Sequence, residues 1–378
     1  MDFRFSQDQE MLRQSARDYL RHHAPLRVAR AVLESGAPYD VDLWQGVAGL
    51  GWLGTAVPEE YGGTGLGRVE LAVIAEELGR ALAPIPFASS VYLAAEALML
   101  AGTPAQRRRW LPSLVSGHLI GTFALTEAEG EADPAALRAV VTGGRLTGTK
   151  EPVPDGVVAG LGVVGARWEG GGVGLALVEL DGAGVTREPL ASIDPTRPQA
   201  RLRFDGAPAE PLGDERDAPR LIERLLDRAA VLLAFEQLGA AGRALELTRE
   251  YTLGRYAFGR PVASFQALKH RMVDVYAAIE VARAHCWYGA WALDAAVAAE
   301  PLAACGARVS ATDAFDLAAR EMIQMHGGAG FTWEFDCHLF YRRAKLLALA
   351  LGGVSAWRDR LVRRLQARSA EPEGRITP

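Results

Sequence analysis

Apolar residues fall at helical spacing through the first third of the chain, gather into short runs through the middle, and return to helical spacing afterwards. Over residues 6–22, Met11, Leu12, Ala16, Tyr19 and Leu20 share one face and charged residues take the other, which predicts an amphipathic helix. Residues 43–50, 69–80 and 90–102 carry the same signal, and Trp110-Leu111-Pro112 closes this segment. Between 120 and 210 the texture changes. Residues 140–142, 145–148, 161–166, 174–180 and 200–204 are short β-type runs divided by Gly, Pro and Asp, which predicts a small antiparallel β domain. From Ala218 three or four long helices are expected to about Arg368, followed by a polar, disordered tail over 369–378. The fold class is α+β, divided at 1–118, 119–212 and 213–368.

The longest apolar repeat, Leu221, Leu225, Ala229, Leu232, Leu233, Leu238, Leu245 and Tyr251, predicts a helix over 218–257. Gly259 and Pro261 end it, and Ser264 is a candidate N-cap for a second helix over 265–299, which stops at Glu300-Pro301. The corner between them runs Arg255-Tyr256-Ala257-Phe258-Gly259-Arg260-Pro261-Val262-Ala263-Ser264-Phe265-Gln266. Its chemistry suits an anion: a permanently charged guanidinium fork, an uncovered backbone at Gly259, and the amide end of the next helix. The same residues also serve as plain helix punctuation.

A second glycine turn, Gln324-Met325-His326-Gly327-Gly328-Ala329-Gly330-Phe331, follows a helix predicted over 308–325. Its spacing is not that of a dinucleotide-binding strand–turn–helix, so alone it reads as a glycine helix stop, with His326 a structural hydrogen-bonder. Residues 51–65 hold too many Gly and Pro for helix or strand and predict a long structured loop.

At 378 residues there is length for two or three domains, and 49% hydrophobic with 23% charged residues describes a soluble globular protein. A net charge of −5 argues against nucleic acid as a partner, so Arg107-Arg108-Arg109 is expected to be a solvated turn. Cys286, Cys305 and Cys337 are too few and too scattered for a disulfide framework or a zinc site, which fits a reduced compartment. The start, Met1-Asp2-Phe3-Arg4-Phe5, has no signal-peptide pattern, and Arg, Asp or Glu interrupts every long helix, so no membrane span is expected. The expected location is the cytoplasm.

Three motifs then change the picture: R-x-x-F-G-x-P-x-x-x-F-Q from Arg255, Q-x-x-G-G-x-G from Gln324, and G-W-x-G-x-x-V-P-E-x-Y-G-G-x-G from Gly51. With the helical, β, helical order, the chain resembles the acyl-CoA dehydrogenase superfamily along essentially its whole length. The resemblance implies an N-terminal helical domain, a middle antiparallel β domain and a C-terminal four-helix bundle. It implies FAD as cofactor, an acyl-CoA thioester as substrate, and an electron-transfer flavoprotein as electron acceptor. It also implies that Arg255, Phe258 and Gln266 reach across a dimer interface to the FAD pyrophosphate and adenosine of a neighbouring subunit. Gln324, Gly327 and Gly328 would pack on the adenosine end of that partner's FAD, and Thr126 would face the chain's own flavin.

The pattern also departs from the family. The carboxylate that removes the α proton would stand at Leu351, counted from Arg342 in Arg342-Arg343-Ala344-Lys345, or at Ala229, ten residues ahead of Gly239. Neither takes a proton, and no catalytic residue is assigned. Asp227 and Glu236, which flank Ala229, are expected as solvated or interface charges. The family's T-E-P-x-A-G-S-D loop reads Thr126-Glu127-Ala128-Glu129-Gly130-Glu131-Ala132-Asp133, with Ala132 in the serine position and added acids that would repel CoA phosphates. The K-x-W-I-T segment reads Lys150-Glu151-Pro152-Val153-Pro154, two prolines in place of a stacking ring and a hydroxyl. Residues for the chain's own flavin are altered, while residues for a neighbour's are kept.

This asymmetry resembles the degenerate subunit of heteromeric (α2β2, sterol side-chain type) acyl-CoA dehydrogenases, paired with a homologous catalytic chain and acting on a bulky, steroid-like or branched thioester. A self-sufficient homotetramer with a displaced base and a non-catalytic scaffold are the alternatives.

Overall fold

A computed structural model describes residues 6–127, 134–295, 297 and 299–370. Helix α1 (Gln7–His23) starts at a capping box: Ser6 Oγ accepts the Gln9 N–H at 3.1 Å, and the Gln9 side chain accepts the Ser6 N–H at 3.0 Å. It is followed by α2 (Leu26–Ser35), α3 (Val41–Gly49) and α4 (Arg68–Arg80). A π-helical stretch, Ala88–Ala95, runs into α5 (Glu96–Ala101), and α6 (Pro104–Val115) closes the segment. The glycine-rich run 51–65 is a loop built on two single 3-10 turns.

Helix α6 corrects the reading of the basic run. Arg107-Arg108-Arg109 is helical, with Arg107 donating to the Leu98 and Met99 carbonyls and Arg109 paired with Glu179. A Thr103–Gln106 capping box starts the helix, and Pro112 is accommodated within it rather than ending it.

The middle segment is one eight-stranded sheet: β1 (Gly121–Ala124), β2 (Val140–Thr142), β3 (Arg145–Pro154), β4 (Leu161–Trp168), β5 (Val173–Glu179), β6 (Val185–Leu190), β7 (Gln199–Pro208) and β8 (Glu210–Leu212). The strand order is β6-β7-β3-β2-β4-β5-β8, with β1 on β4. Most pairs are antiparallel, as expected, but β1–β4 and β2–β4 are parallel, so the sheet is mixed. Neither parallel pair is joined by a tight turn, and the chain between them is long enough to bring β4 back in the same direction.

The last segment holds α7 (Ala218–Gly254), α8 (Gln266–Ala295), α9 (Glu300–His326), α10 (Cys337–Leu349) and α11 (Val354–Ala370). Four of them form the expected bundle, and α11 is a fifth helix laid against α9. The centre of the molecule is α7, which packs on α4, α8 and α9. Its contact with α4 is backbone on backbone: a Cβ on Gly79 would lie 2.0 Å from the Glu236 carbonyl oxygen, and one on Gly239 would lie 1.9 Å from that of Glu76.

Three boundaries differ from expectation. Helix α7 ends at Gly254, because β9 (Tyr256–Ala257) pairs with β10 (Arg260–Pro261) in a two-residue hairpin. Ser264 does not cap α8: it lies in a 3-10 turn and its buried Oγ has no hydrogen-bond partner. Helix α9 begins at Glu300, earlier than expected, with Pro301 in its first turn, where a missing N–H costs nothing.

Two buried ion pairs clamp the connection between β6 and β7 to the helices, Asp194 with Arg343 of α10 and Arg197 with Glu236 of α7. Among the described residues no helix is long and apolar enough to cross a membrane, no His/Cys/Asp/Glu cluster could hold a metal, and all three cysteines are buried and free.

Candidate functional site

A cavity of about 410 Å³ opens where the π-helical stretch, β3, α7 and the turn after α10 meet. Ala229 lines it from α7 and Leu351 lines it from the turn. The two positions at which a base was looked for therefore share one space, and both are apolar there. Thr126, Pro152 and Pro154 line the same cavity. Thr126 is half-buried and its carbonyl accepts the Glu151 N–H at 3.0 Å. Residues 128–133, including Ala132, lie outside the described residues.

The turn is firmly built although its side chain takes no proton. Leu351 holds a left-handed φ of +60°, uncommon for a residue with a branched side chain, and Gly352 follows at +94°. Trp357 Nε1 donates to the Leu351 carbonyl at 3.0 Å. Buried Arg308 donates to the Leu347 and Ala350 carbonyls at 2.5 and 2.6 Å and to Gln237 Oε1 at 2.7 Å. Burial pushes the Arg308 guanidinium down to about 9, which leaves it charged at neutral pH. With no carboxylate within ion-pair distance among the described residues, it is balanced by the carbonyl end of α10.

Asp227 and Glu236, expected as solvated or interface charges, are both buried within the chain. Asp227 is buried against Arg364, with two contacts of 2.8 Å, and burial raises its pKa to about 6 against the pull of Arg364. Glu236, seven residues on from Ala229, returns to the same side of α7 and pairs with Arg197 at 2.8 Å. Neither lines the cavity. The acid that does, among the described residues, is Asp155, which sequence reasoning missed.

The retained residues gather elsewhere, at an exposed corner. Phe258 and Gly259 sit at the hairpin tip with φ of +52° and +74°, the signs of a type I′ turn, and Phe258 is 95% exposed. Arg260 lies over the Phe265 ring at 4.1 Å and braces the hairpin. Arg255 follows α7 and Gln266 opens α8, both exposed. No described residue hydrogen-bonds or pairs with the Arg255 guanidinium.

Across from it, α9 ends at His326, and Gln324, Gly327 and Gly328 are exposed. Tyr251, one turn before Arg255, stacks on His326 with ring centroids 4.1 Å apart and donates to its carbonyl at 3.3 Å. This stack joins the two motifs into one surface. His326 is buried, and its Nδ1 meets the Met322 carbonyl at 2.6 Å, the structural role expected of it.

The helix–sheet–helix frame is that of an acyl-CoA dehydrogenase, and the chain belongs to that family. Residues 6–118 match the acyl-CoA dehydrogenase N-terminal domain, and residues 220–366 match the C-terminal domain. The acyl-CoA dehydrogenase IpdE2 of Mycobacterium tuberculosis is 36% identical over 340 residues, covering 89% of this chain and 91% of that one. Among solved structures, a variant of the Tcur3481-Tcur3483 steroid ACAD superposes with a TM-score of 0.87 at 34% identity, covering 96% of this chain and 99% of the other. The ChsE4-ChsE5 complex from Mycobacterium tuberculosis superposes with a TM-score of 0.86 at 30% identity, covering 99% and 100%.

Proposed function

We propose that this chain is the non-catalytic subunit of a heteromeric acyl-CoA dehydrogenase and completes the FAD site of a homologous partner chain. The observation that carries it is the shared cavity: Ala229 and Leu351 meet there, and neither can remove a proton. The partner would supply the base. FAD, when bound, accepts the hydride that leaves the β carbon of the acyl-CoA.

The exposed corner fits the phosphate and adenosine end of that cofactor. The Arg255 guanidinium would hold the pyrophosphate, Phe258 would cover the adenosine side, and Gln266 and Gln324 would donate to it. A Cβ at Gly327 or Gly328 would meet nothing within 4 Å, so the backbone there is open to close approach. The chain's own cavity fits a flavin ring poorly, since Pro152 and Pro154 offer neither a donor nor a stacking plane. The two-chain complexes among the relatives support the reading, and the steroid ACAD among them favours a bulky, steroid-like thioester. An electron-transfer flavoprotein as acceptor and a cytoplasmic location complete it.

Asp155 favours one rival, a self-sufficient homotetramer with a displaced base, because it is an acid in the cavity. Its carboxylate, however, already accepts from Ser89 Oγ at 2.6 Å. Arg255→Ala tests the proposal. Flavin occupancy of the assembled complex, read from its visible absorbance, falls if Arg255 clamps the partner's FAD. Unchanged occupancy removes the cross-interface role.

A further inference from the structure

Six large aromatic residues are exposed among the described residues, and five of them, Tyr256, Phe258, Phe331, Trp333 and Phe335, fall in two short stretches. The stretches meet at the stack of Tyr251 on His326. Phe335 packs edge-on against Tyr251 at 5.8 Å, and its ring lies 6.1 Å from that of His326. The corner at Arg255 and the segment 331–335 therefore belong to one aromatic surface. Rings gathered in water in this way mark a contact surface, and five of them exceed what one nucleotide covers.

The segment 331–335 is tied down before any partner arrives. Trp333 stacks on His338 with ring centroids 4.5 Å apart and donates from Nε1 to Glu34 at 3.0 Å. Arg30 of α2 donates to the Trp333 carbonyl at 2.6 Å and pairs with Asp336 at 2.6 Å. Phe331, by contrast, is 86% exposed. A ring presented in water by a braced backbone loses little freedom when it is buried, which is the character of an interface anchor. The charge nearby is one-sided. Residues 249–271 hold five Lys and Arg and a single acid, Glu250, in a chain of net charge −5. Glu250 already lies 3.8 Å from Arg243. No described residue pairs with the Arg249, Arg255 or Lys269 side chain. Arg255 has a proposed role at the pyrophosphate, which leaves Arg249 and Lys269 without one.

We propose that this surface docks a second, different acyl-CoA dehydrogenase chain, which offers an apolar pocket to Phe331 and acidic side chains to Arg249 and Lys269. This rests on the reading that the chain completes a partner's FAD site, and it separates the residues that hold the partner from those that hold the cofactor. Charge selects a different chain over a second copy: two copies meeting through this same surface would oppose like charges.

The test uses the tagged full chain and the acyl-CoA dehydrogenase chain that co-purifies with it, with Kd read by mass photometry and flavin by absorbance. Phe331→Ser should leave the melting temperature of the isolated chain unchanged, since the ring is already in water, and weaken assembly about thirtyfold. Reversing the two cations together, Arg249→Glu with Lys269→Glu, should weaken assembly about tenfold at low salt and less at about 0.5 M salt. At saturating partner both variants should keep full flavin, whereas Arg255→Ala should still assemble and lose it. Unchanged affinity in Phe331→Ser or in the charge reversal overturns the docking proposal and leaves the FAD clamp standing. Self-association of the isolated chain that Phe331→Ser abolishes also overturns it, because the occupant is then a second copy. A wild-type chain that captures no second dehydrogenase chain overturns it together with the function beneath it.

Discussion

Ala229 and Leu351, far apart in the chain, line one cavity, one from α7 and one from the turn after α10. The two alternative places for a base are thus alternatives in sequence only. In space both side chains line the same cavity, and neither can take a proton.

Restoring one acid should not restore the enzyme. Leu351→Glu places a carboxyl among aliphatic walls and two prolines, at a backbone position already strained. We expect a loss of about 1–3 kcal/mol in stability and no turnover of any acyl-CoA by the isolated chain. Measurable turnover would show that only the base was missing.

Phe258 separates stability from cofactor binding. A fully exposed aromatic residue at φ +52° is a poor occupant of a type I′ turn, where Asn is preferred. Phe258→Asn should leave the melting temperature of the isolated chain unchanged or raise it, by up to about 1 kcal/mol in stability. It should lower flavin occupancy of the assembled complex. Full occupancy in the variant would mean the ring has no role at the cofactor.

The burial of His326 sets a pH dependence. Burial lowers the His326 pKa, and the Met322 carbonyl only partly opposes it. A depressed histidine pKa means the unfolded chain takes up a proton that the folded chain refuses. This contribution to stability is complete above the unfolded value of about 6.5 and is lost as pH falls through it towards the folded pKa. The melting temperature should therefore fall more between pH 7 and about 5 for the wild type than for His326→Gln. Equal falls would place the histidine outside the folding equilibrium.

The helical periodicity marked α1, α3, α4, α7, α8 and α9, because an apolar stripe is written locally. Helix α6 was hidden by Pro112, and β6, polar on both faces, has no alternation to detect. The hairpin at Phe258-Gly259 was taken for a helix stop because Gly and Pro mark both. The motifs marked the exposed residues of the corner and the two apolar residues, Ala229 and Leu351, that line the cavity. They did not reveal that Asp227, Glu236 and Asp155 are buried, since each is held by a partner, Arg364, Arg197 or Ser89, supplied by a distant part of the chain. Charge burial depends on such pairings, and sequence spacing does not encode them.

The most direct test of the shared-site account is the visible absorption spectrum of this chain purified alone, with its mass in solution. The account predicts a colourless protein that carries flavin only when co-purified with a second acyl-CoA dehydrogenase chain. A yellow homotetramer holding stoichiometric FAD would contradict it.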